Sequence, residues 1–234
     1  VASPDLLTTP SNQDHQSPIG QPGATEVLSS FSPQMLQANS RPQDFPLRLG
    51  SAEDFVRVRA LFRAAHFDDA TICRIFALGD MSDIGSVDRK RIHISGMLGL
   101  LIRLFLFIEA IPRAEVDAFI DGLTLESLTS LDIIRLEKFG TEDGASIDKY
   151  YCPVWLYPIG EFLIASDRGR NPDGSTLVRM ADIVFPAIYE GTLRFLRMIP
   201  KTPNETALDL CSGSGIAALM MSRYAKRAVA ADIT

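Results

Sequence analysis

From Ser51 onward, apolar residues recur at helical spacing. In "SAEDFVRVRALFRAAHF", Phe55, Val58, Leu61 and Phe62 fall three or four positions apart. Ser51 reads as the N-cap, with Asp54 three residues later where a Glu or Gln is more usual. The same period predicts a helix over residues 69–78 and another over 94–110. The latter contains the greasiest stretch, "GMLGLLIRLFLFIEAI". That stretch is too short to cross a bilayer comfortably and carries Arg103 and Glu109, so it predicts a buried helix. "PRAEVDAFI" and "TLESLTSL" predict two more helices, one opened by Pro112 and one capped by Thr124. Alternation then replaces the helical period. "DIIRLEKFG" and "DKYYCPVWLYPIG" read as strands around a polar loop at 141–146, and "EFLIASD" as a further strand.

Outside this region the pattern changes twice. Residues 1–50 hold seven of the fourteen prolines among many Ser, Gln and Thr. Such a stretch buries too little apolar surface to offset its ordering entropy and is expected to be disordered. Residues 168–175, "RGRNPDGS", read as a turn-rich linker. A helix, or two broken at Pro186, follows in "LVRMADIVFPAIYEGTLRFLRMIP". Three regions result: a tail over 1–50, a helical and hairpin domain over 51–167, and a last segment over 168–234.

Three helices followed by a β-hairpin is the order of a winged helix, with residues 124–131 in the place of a DNA-reading helix. The charges argue against that use. The segment has Glu126 and no Lys or Arg, and Glu115, Asp117, Asp121 and Asp132 surround it. The chain's net charge is −6, which offers phosphates no general attraction. The expected role is a winged-helix-like accessory domain that packs against a catalytic domain or contacts protein, without DNA binding. Trp155 and Tyr157 alternate in a strand and read as packing residues. Cys73, Cys152 and Cys211 form no CxxC pair, which fits reduced thiols rather than a disulfide frame or zinc site. His66 and His93 are isolated, so no metal is expected.

The most informative stretch is "TALDLCSGSGIAALMMSRYAKRAVAADIT". Residues 206–210 predict a short strand, Cys211 to Gly215 a turn, and 216 to about 227 a helix with Arg223, Lys226 and Arg227 in its last turns. Residues 228–232 predict a second strand ending at Asp232. A strand–helix–strand unit pairs its strands in parallel, with ligands beyond their C-terminal ends, so Asp209 and Asp232 should face one crevice. Two cofactor readings compete. "GSGIAA" matches a dinucleotide fingerprint of GxGxxA form, with Asp232 at the distance of the ribose-binding acid. Against it stands Asp209, beside the place a pyrophosphate would occupy. Two like charges 4 Å apart cost on the order of 4 kcal/mol at an effective dielectric near 20. A cationic ligand reverses the sign.

The order Asp209-Leu210-Cys211-Ser212-Gly213-Ser214-Gly215 resembles the first motif of class I S-adenosylmethionine-dependent methyltransferases, an acidic residue followed by three glycines at alternate positions. The resemblance implies that Asp209 helps hold the methionine amino group of S-adenosylmethionine. It also implies that Gly213 and Gly215 let the backbone approach the cofactor, and that Asp232 accepts hydrogen bonds from the ribose hydroxyls. Ser212 and Ser214 complete the cofactor-binding turn. Cys211 departs from the pattern by standing where the first glycine would be. If that position needs a positive φ, cysteine is strained there. With no His nearby in sequence, Cys211 reads as a small packing residue rather than a nucleophile. With a helical front domain and "YPIGEFLIASDR" preceding the motif, the arrangement resembles the "small-domain" methyltransferases, which modify release-factor glutamines and ribosomal RNA guanines. The fold implied is an α+β, winged-helix-like domain followed by the start of an α/β Rossmann-like domain.

The resemblance implies methyl transfer to a nitrogen of a protein or RNA acceptor. The Asn/Asp-Pro-Pro-Tyr type of motif that holds the target nitrogen does not occur in these residues, so no catalytic residue can be named. The N- and C-termini read as cut ends. Two strands alone should leave apolar sheet surface exposed, and the chain by itself is expected to be inactive and to bind cofactor weakly or not at all. A non-enzymatic winged-helix interaction module is the rival from another class. The expected compartment is the cytoplasm, or an organelle if residues 1–50 are the remains of a targeting segment.

Overall fold

The structure is a computed structural model that describes residues 47–89, 94–141, 144–172, 175 and 183–232. These residues belong to one compact unit. The expectation of disorder for the first fifty residues lies outside the described residues up to position 46. Of its last four positions, Leu47 and Gly50 are half-buried, while Arg48 and Leu49 are exposed. Arg48 N–H donates to Leu131 O at 3.0 Å, and a Cβ on Gly50 would sit 2.6 Å from Leu131 Cδ2.

The first helix, α1 (Ala52–Ala64), opens as its sequence dictates. Ser51 Oγ accepts from Asp54 N–H at 3.2 Å, and Asp54 Oδ2 accepts from Ser51 N–H at 2.9 Å, so two orphan donors are satisfied reciprocally. The helix ends where His66 turns left-handed, with Phe67 N–H reaching back to Phe62 O at 2.9 Å. Its inner face carries Val58 and Phe62, and the Phe62 ring lies 5.1 Å from Phe67 and 5.2 Å from Phe105. α2 (Asp69–Phe76) is capped by Asp68 and closed by left-handed Ala77, two residues short of the predicted end. A 3-10 turn covers Met81–Ser86.

The greasy segment is a shorter helix than its period suggests. α3 (Gly96–Leu101) winds into a π turn over Ile102–Leu106, and Ile108 at φ +55° stops it before the predicted residue 110. The Glu109 N–H returns to Arg103 O at 2.9 Å, while the Arg103 guanidinium pairs with Glu109 and Glu115. Trp155 Nε1–H donates to Leu106 O at 3.1 Å, using a carbonyl that the widened turn leaves available. A Cβ at Gly99 would fall 1.9 Å from Ile94 O, so glycine is required there.

After the two-residue strand β1 (Ile111–Pro112) come α4 (Arg113–Asp117) and α5 (Gly122–Ser130). Asp121, not Thr124, caps α5. Its carboxylate accepts from Thr124 N–H at 3.0 Å and from Thr124 Oγ1–H at 2.7 Å. Thr124 is the third helical residue, and its hydroxyl serves the cap rather than acting as one. β2 (Arg135–Gly140) and β3 (Ser146–Tyr151) form an antiparallel hairpin, and β1 pairs on the other side of β3. The single strand expected over 148–160 is broken at Cys152-Pro153-Val154. Proline lacks the N–H that a continuing ladder needs. β4 (Trp155–Ile159) instead pairs with β5 (Phe162–Ser166) as a separate hairpin.

Of the helix expected before the glycine turn, 176–182 lie outside the described residues and 183–186 are not helical. α6 (Glu190–Met198) begins only after Pro186. The approach to it is fastened by Val184 N–H to Asp167 Oδ2 at 2.8 Å and Ala187 N–H to Tyr157 OH at 2.6 Å. β6 (Asn204–Leu210), α7 (Ile216–Met221) and β7 (Ala225–Ala231) complete the chain, with β6 and β7 parallel. The fold is thus mixed α+β, with several helices around three small sheets. One apolar core runs from Phe62 and Phe105 through Tyr157 to Ile216 and Ala217. Among the described residues no helix is long and apolar enough to cross a membrane.

Candidate functional site

The parallel register pairs Leu210 with Ala231, so Asp209 and Asp232 lie at the same end of β6 and β7. The turn between β6 and α7 sits between their carboxylates. Asp209 Oδ2 accepts from Ala218 N–H at 3.0 Å, which ties the strand end to the first turn of α7. Asp232 Oδ2 accepts from Gly213 N–H at 2.6 Å. Ser212 N–H donates to Ala231 O at 3.1 Å and Gly215 N–H to Ser212 O at 2.8 Å. All seven sequence-predicted site residues are therefore brought together, Ser214 between the two glycines included.

The backbone of the turn alternates. Cys211, Gly213 and Gly215 have φ of +57°, +50° and +72°. Glycine takes such angles freely, whereas a residue with a Cβ is strained by roughly 1–2 kcal/mol. Cys211 thus occupies a position whose conformation favours glycine, and it is exposed, which corrects the expectation of a packing residue. A Cβ built on Gly213 or Gly215 would meet nothing within 4 Å. These glycines answer a backbone demand and border open space, not packed core.

Two expectations about the unit are corrected. α7 stops at Met221, not near residue 227, because Tyr224 N–H bonds Met221 O at 2.9 Å and Tyr224 O then takes Asn204 N–H at 2.9 Å, starting the ladder with β6. Consequently the second strand begins at Ala225, not Ala228, and Arg223, Lys226 and Arg227 do not complement a helix end. Arg223 pairs with Glu161 at 3.0 Å and Lys226 with Glu205 at 2.7 Å. The sheet is open on one face, as two strands imply. Leu208 and Leu210 are 56% and 69% exposed, while Ala207 and Asp209, which alternate with them, are half-buried.

Chemically, the turn presents two carboxylates, and one of them already takes Gly213 N–H. Two carboxylates side by side favour a cation over an anion. Other candidate residues have structural tasks. Cys152 is fully buried, and burial pushes its thiol up to about 12. Trp155 and Tyr157 pack with ring centroids 5.3 Å apart. His66 is an exposed helix-end residue, and His93 lies outside the described residues. The Arg168 guanidinium lies over the Tyr151 ring at 5.4 Å. No group of His, Cys, Asp and Glu among the described residues is arranged to hold a metal.

A separate open groove of about 670 Å³ lies away from the turn, between α4, α5 and β3. The sequence pointed to the carboxylates but not to their backbone partners, Ala218 N–H and Gly213 N–H, since any residue type supplies an amide. No family model matches the chain, and no curated protein matches it significantly.

Proposed function

We propose that this chain carries the cofactor-holding unit of an S-adenosylmethionine-dependent methyltransferase, together with its accessory domain. The acceptor in this reading is a nitrogen of a protein or RNA. The observation that carries it is the turn geometry: left-handed φ at residues 211, 213 and 215, the three positions where the motif has glycine, directly after Asp209. A chance strand–helix connection has no reason to demand three such angles at alternate positions. The parallel β6–α7–β7 unit supports a Rossmann-like domain. The order α3–β1–α4–α5–β2–β3, with β3 between β1 and β2, supports a winged-helix-like accessory domain.

The residues present fit the cofactor. Asp209 is half-buried and uses Oδ2 on Ala218 N–H, and a carboxylate accepts several hydrogen bonds, so an ammonium can be held as well. Asp232 stands at the tip of the second strand, where a ribose would meet it. Gly213 and Gly215, bordered by open space, leave room for close approach of the ligand to the backbone. When bound, S-adenosylmethionine supplies an electrophilic methyl group on a sulfonium. The protein's part is to orient donor and acceptor and to exclude water. A dinucleotide fits less well, since the charge of Asp209 would lie beside its pyrophosphate.

The test is an amide-shift titration of the ¹⁵N-labelled chain with S-adenosylmethionine and, separately, with NAD. The proposal expects S-adenosylmethionine to move Cys211, Gly213 and Gly215 with a weak dissociation constant, on the order of 1 mM, as a two-strand unit allows. Larger shifts at the same amides with NAD would sink it.

A further inference from the structure

We infer that the groove between α4, α5 and β3 is a docking surface for a basic, amphipathic segment of a partner protein. Its floor is apolar, formed by Ile120, Leu125 and Tyr150, and its walls carry Asp117, Asp121 and Glu126 with Arg113. Three carboxylates against one guanidinium leave the walls two charges negative. Arg113 is already engaged by Asp117 at 3.1 Å, so it does not counter the other two. Asp121 is held in place by capping α5, and Glu126 is exposed with no ion pair among the described residues. The floor side chains are themselves buried, so only their edges face the groove. An apolar floor takes apolar anchors, and an acidic wall selects cations around them.

Charge decides the class of occupant. In a winged-helix-like domain α5 would be the element that approaches a nucleic acid, but a polyanion meets Asp121 and Glu126 on this face. A segment with apolar residues at helical spacing and Lys or Arg between them satisfies floor and wall together. The inference draws only on α4, α5 and β3, so its failure leaves the reading of the β6–α7 turn untouched.

The probe is a fluorescein-labelled peptide of about 14 residues, with Leu at three- and four-residue spacing and Lys elsewhere. Anisotropy is read on the full chain, with amide shifts locating the contact. Binding should saturate, and shifts should centre on Ile120, Leu125 and Tyr150. Glu126→Lys should weaken binding about two- to five-fold, the range of an exposed ion pair. Glu126 is exposed, so an unchanged melting temperature checks that the variant folds. Four results would overturn the inference: no saturable binding, equal binding of a Glu-for-Lys peptide or of a single-stranded oligonucleotide, shifts centred elsewhere, or a Glu126→Lys affinity equal to that of the parent.

Discussion

Replacing Cys211 with glycine should stabilise the protein, against the ordinary expectation for a side-chain deletion. Cys211 holds φ +57°. A left-handed angle costs a residue with a Cβ roughly 1–2 kcal/mol. Glycine removes that strain but gives the unfolded chain more freedom, which costs roughly 0.5–1 kcal/mol. The Cys211 side chain is exposed, so little burial is lost. The balance is a gain of about 0.5–1 kcal/mol, or about 2 °C in melting temperature for a protein of this size. Calorimetry of Cys211→Gly beside Cys211→Ala separates the causes, because alanine keeps the strain while removing the thiol. The account expects only the glycine variant to gain. Equal shifts in both variants, or a loss in Cys211→Gly, would refute the argument from φ.

Other consequences are equally direct. Asp121→Ala should cost about 1 kcal/mol in urea unfolding, since Asp121 and not Thr124 caps α5; no loss would contradict the cap. The Arg135 guanidinium, 2.7 Å from both oxygens of Asp132, holds that carboxyl below the usual range. A depressed carboxyl pKa stabilises the fold above the unfolded-state value near 4, and this contribution is lost as pH falls through the lower folded value. Asp132→Asn, which tolerates the local φ of +54°, should therefore flatten the fall in stability below about pH 4. N-ethylmaleimide should label exposed Cys211 in the native state but reach Cys152 only on unfolding, read by mass spectrometry.

Several elements were legible because their determinants are local. Ser51 and Asp54 announce the start of α1, and the acidic-x-x-x-Gly-x-Gly order announces a turn flanked by carboxylates. What escaped depended on contacts distant in sequence. Nothing near Ile108 tells that its φ will be positive; the end of α3 is fixed by Arg103 bridging Glu109 and Glu115 and by Trp155 arriving on Leu106 O. The early end of α7 follows from Tyr224 joining Asn204 across the sheet, a pairing that outweighs the helical pattern through Arg227. Thr124 fits the capping rule as well as Asp121 three residues before it, and only the carboxylate's position distinguishes them. The groove beneath α5 combines residues of α4, α5 and β3, so no single stretch advertises it.

The claim on which the functional reading rests is that the charge of Asp209 favours a cationic cofactor over a phosphate-bearing one. Asp209→Asn tests it most directly, since an amide oxygen can keep the bond to Ala218 N–H while the charge disappears. The measurement is the ratio of affinities for S-adenosylmethionine and NAD in parent and variant, by amide-shift titration. The account predicts that the ratio falls by about ten-fold or more, corresponding to ~1.4 kcal/mol. An unchanged ratio, or a variant that gains preference for S-adenosylmethionine, would contradict it.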